Sequence, residues 1–196
     1  MFYLVALGNP GSEYERTRHN VGWLFLDRLR HEVGNFSEPQ YRPEYQGRIS
    51  QGEVSGQMVT LLYPETFMNR SGKAVAALVP PDTTDNLLVI YDDVALPLGG
   101  WRVSYERGAG GHNGLKSVIE TLGTNQFARL RVGISPVNNE TGEVVRPTSE
   151  NLSDFVLGRF SPSELNKLEA TLANFRALVT TFITEGREAA MNHFNS

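Results

Sequence analysis

Two short runs, Phe2-Tyr3-Leu4-Val5-Ala6-Leu7 and Leu87-Leu88-Val89-Ile90-Tyr91, are apolar at every position. A strand with one wet face alternates apolar and polar residues. A run that is apolar at both parities must be covered on both faces, as in a largely parallel sheet with helices above and below. Residues 58–63 and 130–134 read as further strands. Residues 48–54 and 101–105 alternate more and are expected toward the sheet edges, so the sheet is expected to be mixed. Helical periodicity separates these runs. Val21, Leu24, Phe25, Leu29 and Val33 share one helix face. Ser161-Pro162-Ser163-Glu164 reads as an N-cap, a first-turn proline and a capping-box glutamate. Behind it Leu165, Leu168, Leu172, Phe175, Leu178, Phe182 and Ile183 form one long amphipathic stripe expected to pack on the sheet. Residues 137–151 are polar and read as a surface loop, and there is no internal repeat. The fold class is therefore α/β: a single compact domain over residues 1–196, with a mixed twisted β-sheet flanked by helices.

Composition narrows the function classes. The absence of cysteine excludes disulfide scaffolds, thiolate metal sites and cysteine nucleophiles. With 18 Lys and Arg against 22 Asp and Glu, the formal charge of −4 excludes a uniformly basic nucleic-acid coat but not a local basic patch. The opening apolar run is too short, and too uncharged ahead of it, for a signal peptide. No run approaches the roughly 20 residues of a membrane helix. A soluble, cytoplasmic protein is expected, and the three Asn-x-Ser/Thr matches at Asn69, Asn139 and Asn151 read as chance.

Four polar constellations follow the strands or open the helices. Gly8-Asn9-Pro10-Gly11 alone is a turn signal. Directly after a buried strand, however, it places Asn9 in the crevice at the strands' carboxyl ends, offering an amide donor pair and an acceptor. Tyr14-Glu15-Arg16-Thr17-Arg18-His19-Asn20 precedes the first helix, with Asn20 as a side-chain N-cap and His19 just outside. The helix dipole there biases the imidazole toward the neutral form that a general base needs. Asp92 and Asp93 end the second buried strand and reach the same crevice, where one carboxylate can orient His19. Adjacent carboxylates point apart and no phosphate cradle lies nearby, so a magnesium site is disfavoured.

The fourth constellation, Gly108-Ala109-Gly110-Gly111-His112-Asn113-Gly114, runs into a helix expected near Leu115. It satisfies neither the dinucleotide nor the phosphate-loop spacing, which leaves a nucleotide-binding protein without support. Around it, residues 100–131 hold five basic and two acidic side chains, among them Arg102, Arg107, Lys116, Arg129 and Arg131. This is a phosphate-contact signature inside an acidic chain. No Gly-x-Ser-x-Gly elbow is present, and the histidines at 19, 31, 112 and 193 lack metal-ligand spacing. What remains is a His–Asp pair, several carboxamides and a basic rim: hydrolysis by water activated at His19, on a phosphate-bearing substrate.

The ordered blocks resemble bacterial-type peptidyl-tRNA hydrolases. They comprise Gly8-Asn9-Pro10-Gly11, Thr17-Arg18-His19-Asn20, Phe67-Met68-Asn69-Arg70-Ser71-Gly72, Asp92-Asp93 with Leu96-Pro97, Gly110-Gly111-His112-Asn113-Gly114-Leu115 and Phe127-Ala128-Arg129-Leu130-Arg131-Val132-Gly133-Ile134. Phe155-Val156-Leu157-Gly158-Arg159-Phe160 continues the likeness to residue 160. The resemblance implies cleavage of the ester joining a peptide to the terminal ribose of tRNA, recycling prematurely released peptidyl-tRNA. His19 would be the general base and Asp92 its orienter. Asn9, Tyr14, Met68, Asn69, His112 and Asn113 would contact substrate, with Asn113 helping to stabilise the oxyanion. Arg102, Arg107, Lys116 and Arg131 would contact tRNA. It also implies a monomer that uses no metal or cofactor.

Four departures bear on the tRNA contacts. Ala95 stands where the family commonly has an acid, and Ser104 where it often has a second basic residue. Glu106-Arg107 stands where small residues are common, and Ser135-Pro136 replaces the usual Gly-x-Pro. Arg107 is a candidate replacement for the missing charge. The rival class is a non-catalytic RNA-binding relative, for which a base and its orienter would be unnecessary.

Overall fold

A computed structural model describes residues 1–195. The two uninterrupted apolar runs lie side by side at the centre of a seven-stranded sheet. Strand β1 (Phe2–Ala6) pairs in parallel with β4 (Gln57–Pro64) on one side and β5 (Leu87–Pro97) on the other. β7 (Ala128–Ser135) continues the parallel set beyond β5. Antiparallel strands close both flanks: β3 (Gly47–Val54) and the short β2 (Gln40–Arg42) beyond β4, and β6 (Trp101–Tyr105) beyond β7. The order is β2-β3-β4-β1-β5-β7-β6. The 48–54 run is thus second from an edge; the exposed β2, with no apolar pattern to announce it, is outermost.

The absence of alternation in β1 has the expected cause. Leu4 and Ala6 face a core shared with α1 (Val21–Val33), α5 (Pro162–Leu172) and α6 (Phe175–Thr184). Tyr3, Val5 and Leu7 face the opposite core, built with α2 (Ser71–Leu78) and α3 (Asn113–Leu122). Helices α4 (Leu152–Leu157) and α7 (Arg187–Phe194) complete the set.

The long amphipathic stripe is carried by two helices. α5 starts with the capping box of Ser161 and Glu164, and the chain turns at Ala173–Asn174 before α6. The apolar spacing runs on through the break, so periodicity alone could not reveal it. At the break, Thr171 uses its hydroxyl on the Gly99 carbonyl, 2.7 Å away, tying the end of α5 to the β5–β6 turn. At the β6 edge, the Asn195 carboxamide bonds both the N–H and the C=O of Val103 at 2.7 Å, occupying backbone groups an edge strand would otherwise present.

Candidate active site

Because β4, β1 and β5 are parallel, the loops leaving their carboxyl ends converge, which is where open α/β sheets place their ligands. β1 delivers Asn9, the segment after β4 delivers Met68 and Asn69, and β5 itself carries Asp92. Asp92 and Asp93 lie within β5 rather than beyond it, because the strand continues past them to Pro97 with a register shift against β7. A short 3-10 turn, Arg18–Asn20, brings in His19, and the glycine loop ahead of α3 brings in His112 and Asn113. Asn9, Tyr14, His19, Met68, Asn69, Asp92, His112 and Asn113 all line one cavity of about 620 Å³. Phe67, Tyr91, Leu152 and Val156 add apolar wall; Phe67 and Val156 lie in family-like blocks and Tyr91 ends a buried run, but an apolar side chain gives no local sign that it faces a cavity rather than the core.

Asp92 is the centre of the arrangement. Its Oδ1 lies 2.8 Å from His19 Nδ1 and 3.0 Å from His112 Nε2. The backbone N–H of Leu115 donates to His112 Nδ1 at 3.1 Å, so His112, and not a later residue, caps α3, which starts at Asn113. That bond assigns the tautomer: Nδ1 accepts, and Nε2–H donates to Asp92. His19 likewise donates Nδ1–H to Asp92, and among the described residues its Nε2 has no hydrogen-bond partner. The two imidazoles lie 5.1 Å apart, and the Tyr91 ring meets His112 edge-on at 4.9 Å.

The electrostatics differ from the sequence expectation at His19. Burial does disfavour the imidazolium, but the neighbouring Asp92 carboxylate outweighs it through charge and hydrogen bond and holds the His19 pKa above its ordinary value. Burial opposes charge on Asp92 too, yet the two imidazoles overcome it and hold its carboxyl far below the usual range. The helix-dipole bias is therefore not what governs His19; the carboxylate is.

His19, Asp92 and His112 have ligand atoms within 4.8 Å of one another, the one such group among the described residues. The hydrogen bonding does not suit a metal. Coordination through His112 Nε2 would require its proton to move to Nδ1, against the Leu115 N–H that already points there. The cluster is a proton-holding network.

Asn20 does not cap α1 with its side chain. Wholly buried, it accepts the Asn9 N–H through Oδ1 and donates Nδ2–H to the Asn9 carbonyl, both at 2.9 Å. Asn9 in turn accepts the Met68 N–H through Oδ1 at 2.8 Å. Its acceptor is thus consumed in the framework, and what it offers the cavity is its NH₂ donor pair. Asn20 is a site-building residue that a capping argument misassigned. The signal that could have located it is its adjacency to His19.

The basic residues divide. Arg102 and Arg107 are exposed and, among the described residues, make no ion pair; Lys116 is exposed beside Glu120 at 3.8 Å. Arg131 is largely enclosed and bound to Asp93 at 2.6 Å. Arg129 is fully buried and is not part of a surface patch. In the sheet register Tyr91, Arg131 and Arg102 stand in one cross-strand row. With strands about 4.8 Å apart, the row leads roughly 10 Å from the cavity wall to the β6 edge. Ser104 is buried opposite Arg129.

Comparison with known proteins agrees with this geometry. The family model described as "Peptidyl-tRNA hydrolase" matches residues 3–196. A peptidyl-tRNA hydrolase of Chloroflexus aurantiacus is 40% identical over 198 residues, covering 100% of this chain and 99% of that one. One from Clostridium tetani is 38% identical over 200 residues, covering 100% and 98%. The crystal structure of the Acinetobacter baumannii peptidyl-tRNA hydrolase superposes with a TM-score of 0.85 at 31% identity, covering 100% of this chain and 95% of that one. With the family model matched along nearly its whole length, the chain belongs to the peptidyl-tRNA hydrolase family.

Proposed function

We propose that this chain hydrolyses the ester between a peptide and the terminal ribose of tRNA, recycling tRNA released prematurely from ribosomes. The observation that carries the reading is the His19–Asp92 pair, with His19 Nε2 left unshared at a cavity ringed by carboxamides. Water gives a proton to His19 Nε2 as its oxygen adds to the ester carbonyl. The imidazolium formed is stabilised by Asp92, which accepts its Nδ1–H and holds the ring. Asn113 donates to the developing oxyanion, while the Asn9 NH₂ group and Asn69 hold the peptide backbone and the attacking water. Collapse expels the ribose oxygen, which takes the proton back from His19. Tyr14 and Met68 bound the groove. His112, placed among substrate contacts by resemblance, acts here chiefly as the second donor to Asp92.

Arg102, Arg107 and Lys116 receive tRNA phosphates, and Arg131, held by Asp93 through Nε, joins them through its remaining guanidinium N–H groups. No described helix is long and apolar enough to cross a membrane, and we place the enzyme in the cytoplasm as a monomer without metal or cofactor. A non-catalytic RNA-binding role would require neither the base nor its orienter. The deciding experiment is release of labelled peptide from peptidyl-tRNA by the wild type and His19→Ala. The variant is expected to lose about 10²–10⁴-fold in kcat with its fold intact. Unchanged turnover would refute the assignment of the base.

A further inference from the structure

Arg129 is fully buried, and among the described residues no carboxylate pairs with it. An unpaired interior guanidinium is rare, because its desolvation must be met by hydrogen bonds alone. Here it is met by backbone carbonyls from two separated segments. Nη1 donates to the carbonyls of Arg107 and, at 3.3 Å, Gly108, and Nη2 donates to Asn125 at 2.9 Å. The guanidinium lies 4.7 Å from the ring centre of buried Phe127, and among the described residues its Nε has no partner.

Those carbonyls are the two ends of one excursion. Between residues 108 and 125 the chain runs through the glycine loop, His112, Asn113 and α3. A second tie joins the same ends, Gln126 Nε2 donating to Glu106 Oε1 at 3.1 Å. Glu106 also has a φ of +53°, in the left-handed region that favours glycine. A non-glycine residue strained at the mouth of a glycine-rich loop implies that its surroundings hold the backbone there.

We propose that Arg129 is a positioning residue: by gripping the carbonyls of Arg107, Gly108 and Asn125 it clips the glycine loop closed and so places His112 and Asn113 against Asp92 and the substrate. It touches neither substrate nor base, and acts through His112, whose Nε2–H reaches Asp92. The same grip sets the root of the Arg107 side chain, so one buried group aligns a proposed tRNA contact with the catalytic network. The catalytic part of this inference rests on the proposed hydrolase function; the clip itself does not.

The test uses Arg129→Met, of similar length without charge or donors, and Arg129→Lys, which keeps the charge and can reach one carbonyl. Amide exchange at residues 107–112 is expected to quicken by about 10- to 100-fold in Arg129→Met, the scale of losing a charged hydrogen bond. In peptide release well below the melting temperature, kcat should fall by about 10- to 100-fold from misplaced groups, with Arg129→Lys intermediate in both readouts. Wild-type exchange and kcat in either folded variant, with only a lowered melting temperature, would make Arg129 a packing residue and overturn the proposal. Should neither variant fold, the wild type decides. Amides 107–112 exchanging as fast as the 137–151 loop would overturn the clip, and slower exchange would support it. Exchange needs no substrate, so a wild-type protein inactive on peptidyl-tRNA would refute the functional reading while leaving the clip to stand or fall separately.

Discussion

Replacing Asp92 by Asn removes a negative charge from an enclosed position while keeping the side chain's shape. In the wild type, burial and the carboxylate pull the His19 pKa in opposite directions, and the carboxylate prevails. A general base works only when neutral, so kcat/KM should rise with pH through the His19 pKa, with the midpoint of the acid limb above 6.5. In Asp92→Asn the raising influence is gone and burial remains, so that midpoint should move below 6.5. The rate should fall even though more His19 is neutral at low pH. The imidazolium of the transition state loses a charge-assisted hydrogen bond of 2.8 Å. Such a bond is worth about 1.5–3 kcal/mol. At about 1.4 kcal/mol per decade, that is about 10- to 150-fold in kcat. KM should change little, since Asp92 faces the two imidazoles rather than the substrate. The assay is peptide release across about pH 5 to pH 9, with a melting curve to confirm folding. An acid limb that stays in place or rises, with kcat near wild type, would refute the claim that Asp92 governs His19.

Arg107→Gln and Lys116→Gln should each weaken tRNA binding and lower the slope of log affinity against log salt by about one, if each meets a phosphate; an unaltered slope removes that residue from the interface. Gly72→Ala should destabilise by about 1–3 kcal/mol in denaturant unfolding, because its Cβ would collide with the Ser117 backbone carbonyl where α2 crosses α3. Stability equal to wild type would mean the helices separate freely. Ser161→Ala should cost about 1 kcal/mol by removing the hydroxyl that accepts the Glu164 N–H at 3.3 Å. A loss of peptide-release activity far beyond that change in stability would point to a role for α5 in the site.

What could be read along the chain was what local physics dictates. Apolar runs at both parities located β1 and β5, periodicity located α1, and Ser161-Pro162-Ser163-Glu164 marked the start of α5. His19, Asp92, Asn9 and Asn113 stood out because they follow buried strands or open helices, whereas Asn69 was marked by the family resemblance alone. Tertiary structure decided which polar groups meet. Asp92 contacts His19 across 73 positions and His112 across 20, and no spacing rule spans such distances. Asn20 looked like a cap because capping is local, but the framework partner that claims it, Asn9, is brought near only by the fold. The charge count of residues 100–131 was correct as arithmetic and incomplete as a surface. The sheet buries Arg129 and sets Arg131 against Asp93, since alternate residues of β7 face whatever the neighbouring strands present. Sequence determined the inventory of chemical groups and the elements carrying them. Only the packing of those elements determined which charges are paired, which are buried, and which remain free to act.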